Sequence, residues 1–329
     1  MLDKLYGGYM KYILFSLLIV FTSYASQISQ TQLLNVEQQV HKVDFDLLIS
    51  NISALEFQLK KSSSTEEKVL IKSQLLTLLS QQQPTNEQES WVLEQQNSKE
   101  SLQLANPDHP EQLLEIINIA RQAKNTQFQW KVTQKEQDIL NQWLTQNWRW
   151  QPFLDNPTEL DYKALAEAIT KTDELTIDWL QQQLTKQALE NTSNRLLAIL
   201  TMGKSNPLLL KQLWQNPADQ YSYQVLQHLK TILPMEKAIE QMELASKNDK
   251  LISQSLLLLT KNYQHHERAQ QFLIKKLQQP NSAWHAATAL SQASNSQLQK
   301  EVAVLAQKSS NSAITFAAKH YDKNSETKE

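Results

Sequence analysis

Leu196-Leu197-Ala198-Ile199-Leu200 recurs as Val225-Leu226-Gln227-His228-Leu229, then as Leu256-Leu257-Leu258-Leu259, and again as Ala286-Ala287-Thr288-Ala289-Leu290. The closing leucines, Leu200, Leu229, Leu259 and Leu290, stand about thirty residues apart, inside the range of stacked structural repeats. A second, more amphipathic phrase follows each of these after a short break, at 207–215, 235–246, 267–278 and 296–308. Apolar side chains stepping by three and four predict helices. Two helices per repeat, packed side by side, predict an all-α chain with an α-solenoid across residues 193–321.

Composition narrows the function. The 329 residues carry a formal charge of −2, spread along the chain rather than gathered. Nucleic-acid binding draws on a basic patch that displaces phosphate counterions, and none is present. A polybasic membrane-surface domain is disfavoured for the same reason. Only three glycines occur, and Gly7 and Gly8 lie at the extreme N-terminus, which leaves Gly203. Phosphate-cradling loops need several glycines for positive φ and close backbone approach, so Walker-A and dinucleotide fingerprints are excluded. No cysteine is present, which removes disulfides, thiolate catalysis and Cys-ligated metal centres. No cofactor is expected.

Residues 1–25 read as a signal peptide. Lys4 and Lys11 supply positive charge, 12–21 is an uncharged apolar run, and Ser23-Tyr24-Ala25 offers small residues where a signal peptidase reads. The run is short for a membrane span of roughly twenty residues, so cleavage after Ala25 is preferred over an uncleaved anchor. Met10 begins a complete signal of its own, so either Met1 or Met10 serves as the start. The expectation is a mature protein outside the cytoplasm, in the periplasm of a Gram-negative cell, with no stable membrane insertion.

Residues 26–83 read as a helical hairpin. Leu33, Val36, Val40, Val43 and Leu47 line one face of a first long helix. The serine run 62–64 breaks it, and Thr65-Glu66-Glu67-Lys68 opens a second with acids in the first turn. A coiled-coil dimerisation arm is the functional alternative to a packed helical pair, but the heptad register is brief. Residues 84–110, rich in Gln, Asn and Ser and punctuated by Pro84, Pro107 and Pro110, read as a linker. From Glu111 helices resume, the first through Leu113, Leu114, Ile116, Ile117 and Ala120, so the repeat array is expected over 111–321. Residues 322–329 are expected to be a disordered tail.

Three constellations invite chemistry. Paired histidines and a carboxylate occur at His265-His266-Glu267, but adjacent histidines diverge on a helix, whereas helical zinc sites space them by four. No metal site is expected. Trp143, Trp148, Trp150 and Phe153, with Arg149 among them, form an aromatic group that suits stacking on a sugar or a peptide. Tryptophans more often anchor a core or a helix junction, and Pro152 is read as ending the helix there. Trp143, Trp148 and Trp150 are therefore the candidate ligand-binding residues, weighed against a structural role. Asp155, Glu159 and Asp161, or Asp173, Glu174 and Asp178, supply the carboxylates a glycosidase needs, yet both groups sit at helix starts, where acids are ordinary. No catalytic residue is assigned.

The segment Ala283-Trp284-His285-Ala286-Ala287-Thr288-Ala289-Leu290 places small residues along a first helix, where a neighbour packs closely. In this the array resembles HEAT-like repeats over residues 193–321. The resemblance implies a curved, protein-binding scaffold and carries over no functional residues. The function expected is a non-enzymatic scaffold or adaptor in the cell envelope that holds a protein or peptide. The alternative is a cell-wall enzyme or enzyme accessory that positions glycan.

Overall fold

The structure is a computed structural model and describes residues 25–106, 108–109, 111–187 and 189–325. The expected signal peptide, up to residue 24, and the end of the expected tail, 326–329, lie outside the described residues. The chain is mostly helical, with one three-stranded sheet among the described residues. It divides into two compact units, residues up to Lys135 and residues from Glu136.

In the first unit the stretch expected as two long helices forms four: α1 (Gln30–Val40), α2 (Phe45–Ser50), α3 (Ser53–Lys61) and α4 (Thr65–Leu79). The break comes from Asp44, whose carboxylate accepts the Leu47 N–H at 3.1 Å and caps a fresh helix. The apolar register shifts there, so Leu48 is buried and Leu47, expected on the inner face, is exposed. Ser64 caps α4 one residue before the expected start, and Glu66 and Glu67 lie in its first turn, where they complement the helix dipole. Helix α1 packs against α4, as the hairpin reading requires of its ends.

The expected linker is largely ordered. Thr85 and Gln88 form a capping box that starts α5 (Asn86–Gln95), whose Val92 is fully buried. Strand β2 (Ser101–Ala105) follows, running parallel to β1 (Ala25–Ile28) and antiparallel to β3 (Leu113–Asn118), in the order β1-β2-β3. Polar composition therefore misleads here, because a few inward residues, Val92 and Leu102 among them, hold the segment on the core. Leu113–Ile117, expected as helix, is strand: Leu114 pairs with Leu104 and Ile117 with Leu102. A run of five apolar-rich residues carries no period that separates helix from strand, and adjacent β-branched Ile116 and Ile117 favour the sheet. Helix α4 packs against all three strands. Helix α6 (Ile119–Leu144) then begins, and within this unit Trp130 donates its indole N–H to the Leu79 carbonyl at 2.7 Å.

The helices of the second unit stand where the repeated phrases place them. After α7 (Gln151–Asp155) come α8 (Glu159–Thr170), α9 (Glu174–Gln187), α10 (Asn194–Gly203), α11 (Pro207–Gln215), α12 (Gln220–Ile232), α13 (Met235–Ala245), α14 (Ile252–Tyr263), α15 (Glu267–Gln278), α16 (Ala283–Leu290), α17 (Ser296–Lys308) and α18 (Ser312–Ser325). Each even-numbered helix from α8 packs against the next even one, α8 on α10 on α12 on α14 on α16 on α18. The odd helices α9, α11, α13 and α15 make a second such row. Leu200, Leu229, Leu259 and Leu290, one on each of α10, α12, α14 and α16, are all at 0 % exposure. The array does not reach back to Glu111, because 113–118 belongs to the sheet of the first unit. At its other end α18 runs to Ser325, so the expected tail overlaps its last turn.

Asparagines fasten the turns between pairs. Asn194 Nδ2 donates to the Pro217 carbonyl at 2.8 Å, and Asn216 Nδ2 to Asn194 Oδ1 at 2.9 Å and the Thr192 carbonyl at 3.1 Å. Asn248 Nδ2 then reaches the carbonyls of Trp214 and Asn216, both at 3.0 Å. Such bonds satisfy carbonyls at helix ends that have no partner within the helix. Gly203 closes α10 where a Cβ would overlap the Ile169 Cγ2 methyl of α8, so the close approach of these two helices rests on glycine.

Candidate functional site

The tryptophan group lies at the head of the second unit. Helix α6 ends in a Schellman-type turn, with Gln146 at φ 54° and the Asn147 N–H on the Gln142 carbonyl. Pro152 therefore does not end that helix. It occupies the first turn of α7, where its missing N–H costs no hydrogen bond. The turn brings Trp148 against Trp143 at 5.7 Å between centroids, against Trp150 at 5.2 Å and against Phe153 at 5.1 Å. Trp150 is at 0 % exposure and donates its indole N–H to the Leu180 carbonyl of α9 at 3.1 Å. Trp143, Trp148 and Phe153 are buried with it. The three candidate residues thus come together as a packed cluster beneath α9, not as an open platform.

The histidine pair serves the array. His266 Nε2 meets Glu236 Oε1 at 2.7 Å, and His265 Nδ1 meets Asn295 Nδ2 at 3.2 Å. The two rings thus reach different neighbouring elements, and among the described residues no three metal-ligating side chains gather.

The carboxylates are engaged as caps and ion pairs. Glu159 takes both guanidinium nitrogens of Arg195 at 2.6 Å, a fork that bridges α8 and α10. That hydrogen bonding, above all, holds the Glu159 carboxyl below its ordinary range. Asp173 is lowered too, chiefly by the Thr176 backbone N–H that it caps. Asp178 and Glu174 pair with Lys204 at 2.7 and 3.2 Å. A glycosidase acid needs a pKa raised toward neutrality, and both shifts run the other way.

A different group remains on the surface. Trp284 of α16 is 53 % exposed, and its ring lies 5.6 Å from Phe316 of α18. Phe316 in turn meets exposed His320 in a tilted contact, 4.3 Å between centroids. The three rings form a strip that crosses from one even-numbered helix to the next. In the sequence Trp284 reads as part of a small-residue packing motif. The signal for the strip is a bulky ring among alanines, with Phe316 and His320 one helical turn apart in the following repeat.

Comparison with protein-family models, with curated proteins and with solved structures finds no match to this chain. Among the described residues no helix is long and apolar enough to cross a membrane.

Proposed function

We propose that the chain is an exported scaffold or adaptor whose helical pairs form a HEAT-like α-solenoid and hold a protein or peptide partner in the cell envelope. The observation that carries this reading is the solvent-facing strip Trp284–Phe316–His320 on the row of even-numbered helices. Stacked pairs present such a row as one continuous surface, and aromatic side chains dominate the binding energy of protein contacts. The serial packing of even on even and odd on odd helices supports the solenoid. The basic start, apolar run and small-residue site of residues 1–25 support export and cleavage.

The test is recovery of partners from the cell envelope with the mature chain and with Trp284→Ala. The variant is expected to keep its stability within about half a kcal/mol, as surface substitutions do. It is also expected to lose the protein that the unaltered chain retains. A folded Trp284→Ala chain that retains its partner, or a clearing band on a peptidoglycan gel, would defeat the proposal.

A further inference from the structure

A groove of about 390 Å³ opens in the first unit, lined by α3, by α5 and by Lys72 of α4. Volumes of this order hold small ligands. The α5 wall is a single helical face, because Glu87, Ser90, Trp91 and Glu94 step by three, one and three. From α3 and its N-cap come Ile52, Leu55 and Leu59, with Glu56 among them. Ile52 and Leu55 are buried, and Leu59 and Trp91 are half-buried against the same core. The groove thus has an apolar body and acidic walls.

Its charges do not cancel. Lys72 is the one cation in the lining, and it is paired with Glu100 at 2.7 Å. Glu87 Oε1 accepts the N–H and the hydroxyl of Ser53 at 3.1 and 2.8 Å. Those two bonds fix the carboxylate without neutralising it, and they tie the start of α3 to the first turn of α5. Glu56 meets Lys60 at 4.0 Å with both side chains exposed, a pair worth little in water. Glu94 is exposed and has no ion pair among the described residues.

The geometry points to this groove as the binding site of an elongated organic cation, a linear polyamine of the length of spermidine. Glu87 and Glu94 stand two helical turns apart, about 10 Å at 1.5 Å per residue, with Trp91 between them. The end nitrogens of extended spermidine are about 11 Å apart by standard bond lengths, so each reaches one carboxylate. The methylene chain then lies along Leu55, Leu59 and Trp91, where burial of apolar surface favours it. The inner ammonium comes beside the indole, the best aromatic partner for a cation, with Glu56 on the α3 side. A hydrated metal ion makes no use of the indole, and a short diamine cannot reach both carboxylates at once. The site belongs to the first unit and stands on its own residues, whatever the aromatic strip of the second unit holds.

The test is calorimetric titration of the purified full chain with spermidine and with putrescine at physiological salt. Spermidine is expected to bind saturably, one per chain. Putrescine, which engages a single carboxylate, is expected to bind about fivefold more weakly or worse. Glu94→Gln removes one carboxylate without breaking an ion pair and is expected to weaken spermidine about fivefold, the upper range for one exposed charge pair. Glu89→Gln, on the same helix but outside the groove lining, is expected to leave binding unchanged. Absence of saturable spermidine binding overturns the site. Equal losses from Glu94→Gln and Glu89→Gln overturn it too, since they would mean diffuse attraction to an acidic helix. Should Glu94→Gln fail to fold, the unaltered chain still decides: putrescine binding as tightly as spermidine overturns the two-carboxylate clamp.

Discussion

At Gly203 a single missing Cβ sets how closely two helices approach. Gly203→Ala would drive a methyl into Ile169, and overpacking of this kind costs typically about 1–3 kcal/mol. Urea unfolding should register that loss, even though alanine is the better helix former; a stabilised variant would mean that α8 and α10 move apart freely. The Glu159–Arg195 fork makes a second residue-scale statement. Because pairing depresses the Glu159 pKa, its contribution is present above the ordinary carboxylate value of about 4.3 and is lost as pH falls through the lower folded value. Glu159→Gln should therefore lower Tm at pH 7 and make little difference near pH 2. A gap of equal size at both pH values would assign the effect to something other than charge.

Elements decide what the tryptophans do. Trp150 ties the turn after α6 to α9 through its ring and its bond to the Leu180 carbonyl. Trp150→Ala should cost about 3–5 kcal/mol, the usual range for a buried aromatic, and should reduce partner binding only in proportion to the folded fraction. A stable Trp150→Ala chain that no longer binds would return these residues to the role of ligand platform. The grouping of Trp143, Trp148 and Trp150 is legible in the sequence, but their burial is not, since tryptophan is as much at home half-exposed as buried. The phrases of the array are legible because each helix buries a wide apolar face and declares its period. The sheet is hidden for the opposite reason. Strand β1 is four residues long, and its partner β2 lies far along the chain in a polar stretch, so nothing local marks the pairing. The asparagine bonds between turns are likewise invisible in sequence, because asparagine is common in any turn.

At the scale of the whole molecule, packing and surface can be read separately in the second unit. Buried leucines and bonded asparagines hold successive pairs together, while the even-numbered row leaves Trp284, Phe316 and His320 on its surface. The strip escapes sequence reading because its rings come from different repeats and only packing makes them neighbours. Our proposal that this strip grips a protein calls for a direct measurement. It is tested most directly by placing a photo-crosslinking amino acid at position 284 of the full chain, illuminating living cells and resolving the adducts. A discrete protein adduct is expected at 284 that is absent when the crosslinker stands instead at exposed Lys300 on α17. Adducts only to glycan, or the same adducts from both positions, would contradict it.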